Sequence, residues 1–84
     1  MSIEPEATPN PSAMKFTVGQ PVGDPMTYVP GGEYDEPMAN DLLALEGVAS
    51  VFATADFVTV TKTEEGDWAD ISPAVIEILE NRFT

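Results

Sequence analysis

No cysteine and no histidine occurs among the 84 residues. Disulfide staples, thiolate clusters, Cys/His zinc sites and any nucleophile-base pair built on those side chains are thereby excluded. Cations are almost as scarce, with Lys15, Lys62 and Arg82 standing against fifteen aspartates and glutamates for a formal net charge of −12. Neutralising a phosphate backbone takes several lysines or arginines on one face, so nucleic acid is not an expected partner. Long apolar runs are missing too: none approaches the ~20 residues of a membrane span, and the amino terminus has neither the basic patch nor the apolar run of a signal peptide. The expectation is a soluble, cytoplasmic, monomeric protein with no membrane partner.

What is present is acidity, spread along the chain and not gathered in one block. It reads as a solvated surface, as in solubility or high-salt adaptation, or as a docking field for a basic partner; the even spread favours the first. The first dozen residues, MSIEPEATPNPS, hold three prolines and few apolar side chains. They read as a flexible or extended segment over 1–12, leaving one small domain over 13–84. A domain of this size buries only about 60% of its unfolded surface, and a single core supplies about 3–5 kcal/mol.

Met14, Phe16 and Val18 alternate with Lys15 and Thr17, the period of a strand with one apolar face. After the breakers of GQPVGDP, the run from Met26 to Val29 reads as a second strand, expected to pair with the first in a hairpin with an irregular loop. YDEPMANDLLALEG then carries a helix with Asp35 as N-cap, Pro37 in its first turn and Gly47 as its left-handed stop. Met38, Leu42 and Leu45 form its buried stripe, with Leu43 at the flank. From Val48 to Thr63, VASVFA and FVTVTKT make the clearest strand pair, Val58 and Val60 on one face and Phe57, Thr59 and Thr61 on the other. In WADISPAVIEILENRF, Ile71, Val75, Ile78 and Leu79 follow helical spacing. Its start is open: either one helix from Asp67 carries Pro73 in its second turn, or Ser72 caps a helix from Pro73 to about Arg82, the preferred reading. The fold class is thus α+β, a single small domain in ββαββα order, with a mainly antiparallel sheet and two helices on one face.

Catalytic chemistry finds little support. The Gly31–Gly32 pair lacks the lysine and the strand-loop-helix setting of a phosphate loop. With no imidazole, a serine nucleophile would need Lys15 or Lys62 as base, and nothing brings them together. Two acidic groups, Glu33, Asp35, Glu36 and Asp41, and Glu64, Glu65 and Asp67, lack the spacing of a calcium loop, and capping and turn solvation account for them. Trp68 serves as a surface anchor or as core; its register with Ile71 and Val75 favours core. No catalytic, cofactor or metal residue is assigned, and no enzyme is expected.

TPNPSAMKF, PMANDLLALEGVASVF, ADFVTVTK and DWADISP, in that order and spacing, together resemble the amino-terminal domain of the Nfu/NifU-like iron-sulfur scaffold proteins. Matching positions include Thr8, Pro9, Asn10, Pro11, Lys15, Phe16, Gly47, Val48, Val51, Phe52, Asp56, Phe57, Val60, Lys62, Trp68 and Pro73. In full-length members of that family a Cys-x-x-Cys motif in a separate carboxyl-terminal domain holds the cluster. The resemblance therefore implies an Nfu N-terminal-like domain standing without its cluster ligands. The implied role is accessory: a non-catalytic module that assists cluster assembly or delivery by contacting a scaffold or recipient protein. Family-level labels also attach iron binding to this domain, which makes a weak iron or divalent-cation binder using surface carboxylates the alternative; carboxylates alone select poorly among hard cations. The candidate partner surface comprises Asn10, Lys15, Asp56 and Lys62. Pro9 and Pro11 are expected to hold the chain extended ahead of the strand at Met14, with a polar contact patch at Asn10 and Lys15 as the functional alternative.

Overall fold

The computed structural model describes residues 3–22, 25–32 and 34–83. Five strands form one antiparallel sheet in the order β1-β2-β5-β4-β3, from β1 (Glu4–Ala7), β2 (Ala13–Thr17), β3 (Met26–Tyr28), β4 (Val48–Thr54) and β5 (Phe57–Lys62). Helices α1 (Pro37–Leu43) and α2 (Trp68–Phe83) complete the α+β domain.

Alternation decides which face is covered. Cross-strand register sets Met14 against Val60, Phe16 against Val58, and Val51 against Val60, so the larger apolar side chains share one face. Phe16, Val51, Val58 and Val60 there are fully buried beneath Leu42 of α1 and Val75 and Leu79 of α2. The opposite face carries Lys15, Thr59, Phe57 and Phe52, again in register. Among the described residues no polar side chain is buried, so the core holds by apolar packing alone.

The expected hairpin between the strands at Met14 and Met26 does not form. β2 pairs with β1 on one side, Pro5 facing Phe16 and Ala7 facing Met14, and with β5 on the other, while β3 lies on the far edge against β4. A 3-residue β3 has too little apolar surface to displace the longer β5 from β2. The connection between them runs past the β4-β5 turn, where Val18 N–H donates to the Asp56 carbonyl at 2.8 Å and Val22 N–H to that of Ala55 at 2.9 Å. Within the expected lead-in, residues 4–7 are extended and paired as an edge strand, and Ile3 is only 5% exposed. The observed order is therefore βββαββα. Pro5 suits an edge, where a missing N–H costs no ladder bond and discourages further pairing.

Both helix starts differ from expectation. Glu36, not Asp35, is the N-cap of α1, its carboxylate accepting from Met38 N–H at 3.4 Å, with Pro37 the first helical residue. This helix ends at Leu43, and tight turns bonded from Leu45 to Leu42 and from Val48 to Leu45 fill the stretch to Gly47. Helix α2 is continuous from Trp68 through Pro73. Asp67 starts it, its side chain accepting from Ala69 N–H at 2.9 Å and its carbonyl from Asp70 and Ile71. The bond forfeited at Pro73 is outweighed by burial of Ile71, Val75 and Leu79 along one stripe.

Candidate interaction surface

The TPNPS segment is a hydrogen-bonded turn between β1 and β2, which corrects the expectation of an extended lead-in. Thr8 Oγ1 accepts from Asn10 N–H at 3.1 Å and donates to the carbonyls of Asn10 and Ala13, while Asn10 Oδ1 accepts from Ser12 N–H at 2.9 Å. Threonine and asparagine fold back on nearby backbone in this way, and the flanking prolines restrict the alternatives. Trp68 Nε1–H reaches the Pro11 carbonyl at 3.2 Å with its ring 6.4 Å from Phe16. The tryptophan thus ties the turn to the start of α2.

The four candidate surface residues do not gather into one patch. Asn10 and Lys62 share one end of the sheet, where Lys62 N–H donates to the Ser12 carbonyl at 2.7 Å. Asp56 sits in the β4-β5 turn at the opposite end, about 20 Å away along the strand. Lys15 lies between them on the sheet face without helices, its ammonium 4.4 Å from the centre of the Phe57 ring and 4.0 Å from Glu6. Asn10 and Lys62 therefore make one small polar rim, and Lys15 and Asp56 stand apart from it.

A second feature joins β3 to α1. Tyr28 and Tyr34 meet edge to face, centroids 4.8 Å apart and planes at 87°, beside a cleft of about 360 Å³ that Met26, Asp35 and Glu36 also line. Tyr34 Oη accepts from Val29 N–H at 2.9 Å, and Asn40 Nδ2 donates to the Tyr34 carbonyl at 2.8 Å. Burial first, then the negative charge of Glu36, raises the Tyr28 phenol above its ordinary value. Glu36 itself takes Arg82 in a forked pair, Nε to Oε1 at 2.7 Å and a terminal nitrogen to Oε2 at 3.3 Å. The Arg82 hydrogen bond is the main cause of a Glu36 pKa below 4.5.

A lowered carboxylate pKa stabilises the fold above the unfolded value, and this stability is lost as pH falls through the folded one. Glu36→Gln is therefore expected to cost about 0.5–1 kcal/mol at neutral pH, where Arg82 is partly screened by solvent. The difference from the parent should shrink progressively as pH falls below the ordinary glutamate value, and urea denaturation across a series of pH values from neutral downward measures it. A constant difference across that range would remove the ion pair as its cause.

A cleft at the other end, about 400 Å³, has Glu46, Glu65, Asp67 and Asp70 on its rim around Gly47 and Gly66. No three acidic side chains converge on a metal position among the described residues. Glu33, counted with the first acidic group, lies outside those residues.

The family described as "Scaffold protein Nfu/NifU N terminal" matches residues 3–84. The chain belongs to this family. It is 39% identical over 87 residues to the human (Homo sapiens) NFU1 iron-sulfur cluster scaffold homolog, mitochondrial, across 99% of this chain and 34% of the human protein. The Drosophila erecta protein of the same name is 40% identical across 99% of this chain and 31% of its own length. The chain thus spans about a third of the curated relatives it matches. Among solved structures, protein SAV1430 of Staphylococcus aureus superposes with a TM-score of 0.82 at 31% identity over 93% of this chain and 98% of that one. SeR13 of Staphylococcus epidermidis gives 0.67 at 27% identity, covering 98% of each.

For this Nfu/NifU N-terminal domain, sequence reasoning missed the tyrosine cleft. A signal was available: Tyr28 and Tyr34 flank VPGGE, whose Pro-Gly-Gly run marks a turn that can set two aromatics against each other. No helix among the described residues is long and apolar enough to cross a membrane. The donor set also bears on the family's cargo. Iron-sulfur clusters are held by thiolates, with imidazole as an occasional substitute, and this sequence holds neither. The residues present do not fit a cluster.

Proposed function

We propose that this domain is a non-catalytic accessory module of iron-sulfur cluster assembly or delivery. It acts as a cytoplasmic monomer through contact with a scaffold or recipient protein and does not hold the cluster itself. The observation that carries the reading is the conjunction of Nfu/NifU N-terminal membership along nearly the whole chain with a complete lack of thiolate and imidazole ligands. Contact is a physical route to a part in that process that needs no cluster ligand from this domain, and a surface of net charge −12 suits a basic face on the other side.

Two measurements test it. Anaerobic reconstitution of the purified chain with ferrous iron and sulfide should leave no coloured species bound through gel filtration. Affinity capture from the native extract should recover identified cluster-assembly or cluster-recipient proteins. A cluster retained on the chain overturns the accessory role, and recovery of unrelated proteins alone overturns the association.

A further inference from the structure

We propose that the cleft between β3 and the start of α1 is a receptor for an arginine side chain of a protein partner. Its walls are Tyr28 and Tyr34 at right angles, Met26 is 44% exposed at its mouth, and Asp35 and Glu36 supply negative charge. Aromatic faces attract a cation through the ring quadrupole, and a carboxylate beside them supplies a charge-assisted hydrogen bond. Guanidinium suits this setting better than ammonium, because it is planar, stacks on rings and is more weakly hydrated. The protein already uses the same chemistry next door, where Glu36 grips Arg82 by its fork.

Preorganisation strengthens the case. Tyr34 is held through its hydroxyl at Val29 and its carbonyl at Asn40, and Glu36 is held by Arg82, so little side-chain freedom remains to be lost on binding. The Asp35 carboxylate makes no hydrogen bond or ion pair among the described residues, and it is the group left to meet an incoming cation. Arg82 offsets part of the charge of Glu36, which leaves Asp35 as the main electrostatic contributor. An anion is disfavoured by the net charge of −12, and two carboxylates are too few to strip a divalent ion of its water.

The inference supplies the partner chemistry for the contact role proposed above, but its test does not depend on iron-sulfur proteins. The probe is N-acetyl-arginine-N-methylamide titrated into the 15N-labelled chain, with N-acetyl-lysine-N-methylamide and potassium chloride at matched ionic strength as comparisons. Saturable shifts confined to Met26, Tyr28, Tyr34, Asp35 and Glu36 are expected, with a dissociation constant on the order of millimolar for one isolated side chain. Asp35→Asn should weaken binding about fivefold, while Glu65→Gln, in the acidic cleft at the other end, should leave it within about twofold. Shifts spread over the whole acidic surface, equal affinity for the lysine probe, or an unaltered Asp35→Asn titration would each overturn the assignment. Arginine binding here without recovery of cluster proteins from the extract would sink the proposed function and leave the receptor standing.

Discussion

Phe16→Ala is expected to abolish the cooperative unfolding transition at room temperature. Phe16 is fully buried at the centre of the covered face, with Pro5 and Val58 beside it in register and the Trp68 ring 6.4 Å away. Truncating a buried phenylalanine removes its transfer free energy and leaves a cavity, together about 3–5 kcal/mol. That equals or exceeds the ~3–5 kcal/mol that one small core supplies. Nothing else among the described residues compensates, since the core contains no polar network and the chain has no disulfide. Phe52→Ala provides the comparison: its ring lies on the uncovered face at 39% exposure, and its loss should move the urea midpoint only slightly. Far-ultraviolet circular dichroism against urea reads both variants. A Phe16→Ala protein that unfolds cooperatively near the parent midpoint would show that the sheet does not depend on this contact.

Phe16 also shows what could be read in advance. Its alternation with Met14, the Val58/Val60 face of β5 and the spacing of Ile71, Val75 and Leu79 each name a buried face from sequence alone, because periods of 2.0 and 3.6 follow from backbone geometry. Family resemblance was readable for the same kind of reason, through segments such as TPNPSAMKF and DWADISP. Strand partners were not readable. A chain of short strands carries no local mark of which edge each one takes, and the pairing of β1 with β2 was hidden because Pro5 and two glutamates make Glu4–Ala7 look like a tail. The tyrosine cleft was likewise obscure, since it depends on α1 starting at Glu36 and on Arg82 arriving from 46 residues away. Helix starts were ambiguous where two acids compete for one cap, as Asp35 and Glu36 do.

Three glycine variants should separate strain from crowding at the end of the sheet opposite Asp56. Gly47 has φ at 93°, and a Cβ there would stand 3.0 Å from the Gly66 Cα and 3.1 Å from Ile71 Cδ1. Gly31 has nearly the same φ, 91°, with open space around it. Gly66 carries no such φ, yet a Cβ on it would lie 2.8 Å from the Gly47 carbonyl oxygen. Gly31→Ala should therefore show the conformational cost alone, about 1 kcal/mol or slightly more. Gly66→Ala should show crowding alone. Gly47→Ala combines both, and because Thr63 N–H bonds to the Gly47 carbonyl at 2.8 Å, moving the backbone to relieve the contact also strains the link that seats the loop before α2. A loss of about 2–4 kcal/mol is expected there, comparable to the stability of the whole domain. Thermal and urea unfolding of the three variants measures the order. Since Gly47 and Gly66 touch, the double variant should fall short of the sum of the two single losses, one backbone shift relieving both clashes. Equal losses at Gly31 and Gly47 would mean that the contact with Gly66 and Ile71 yields at no cost, and would leave backbone conformation as the sole reason for glycine at position 47.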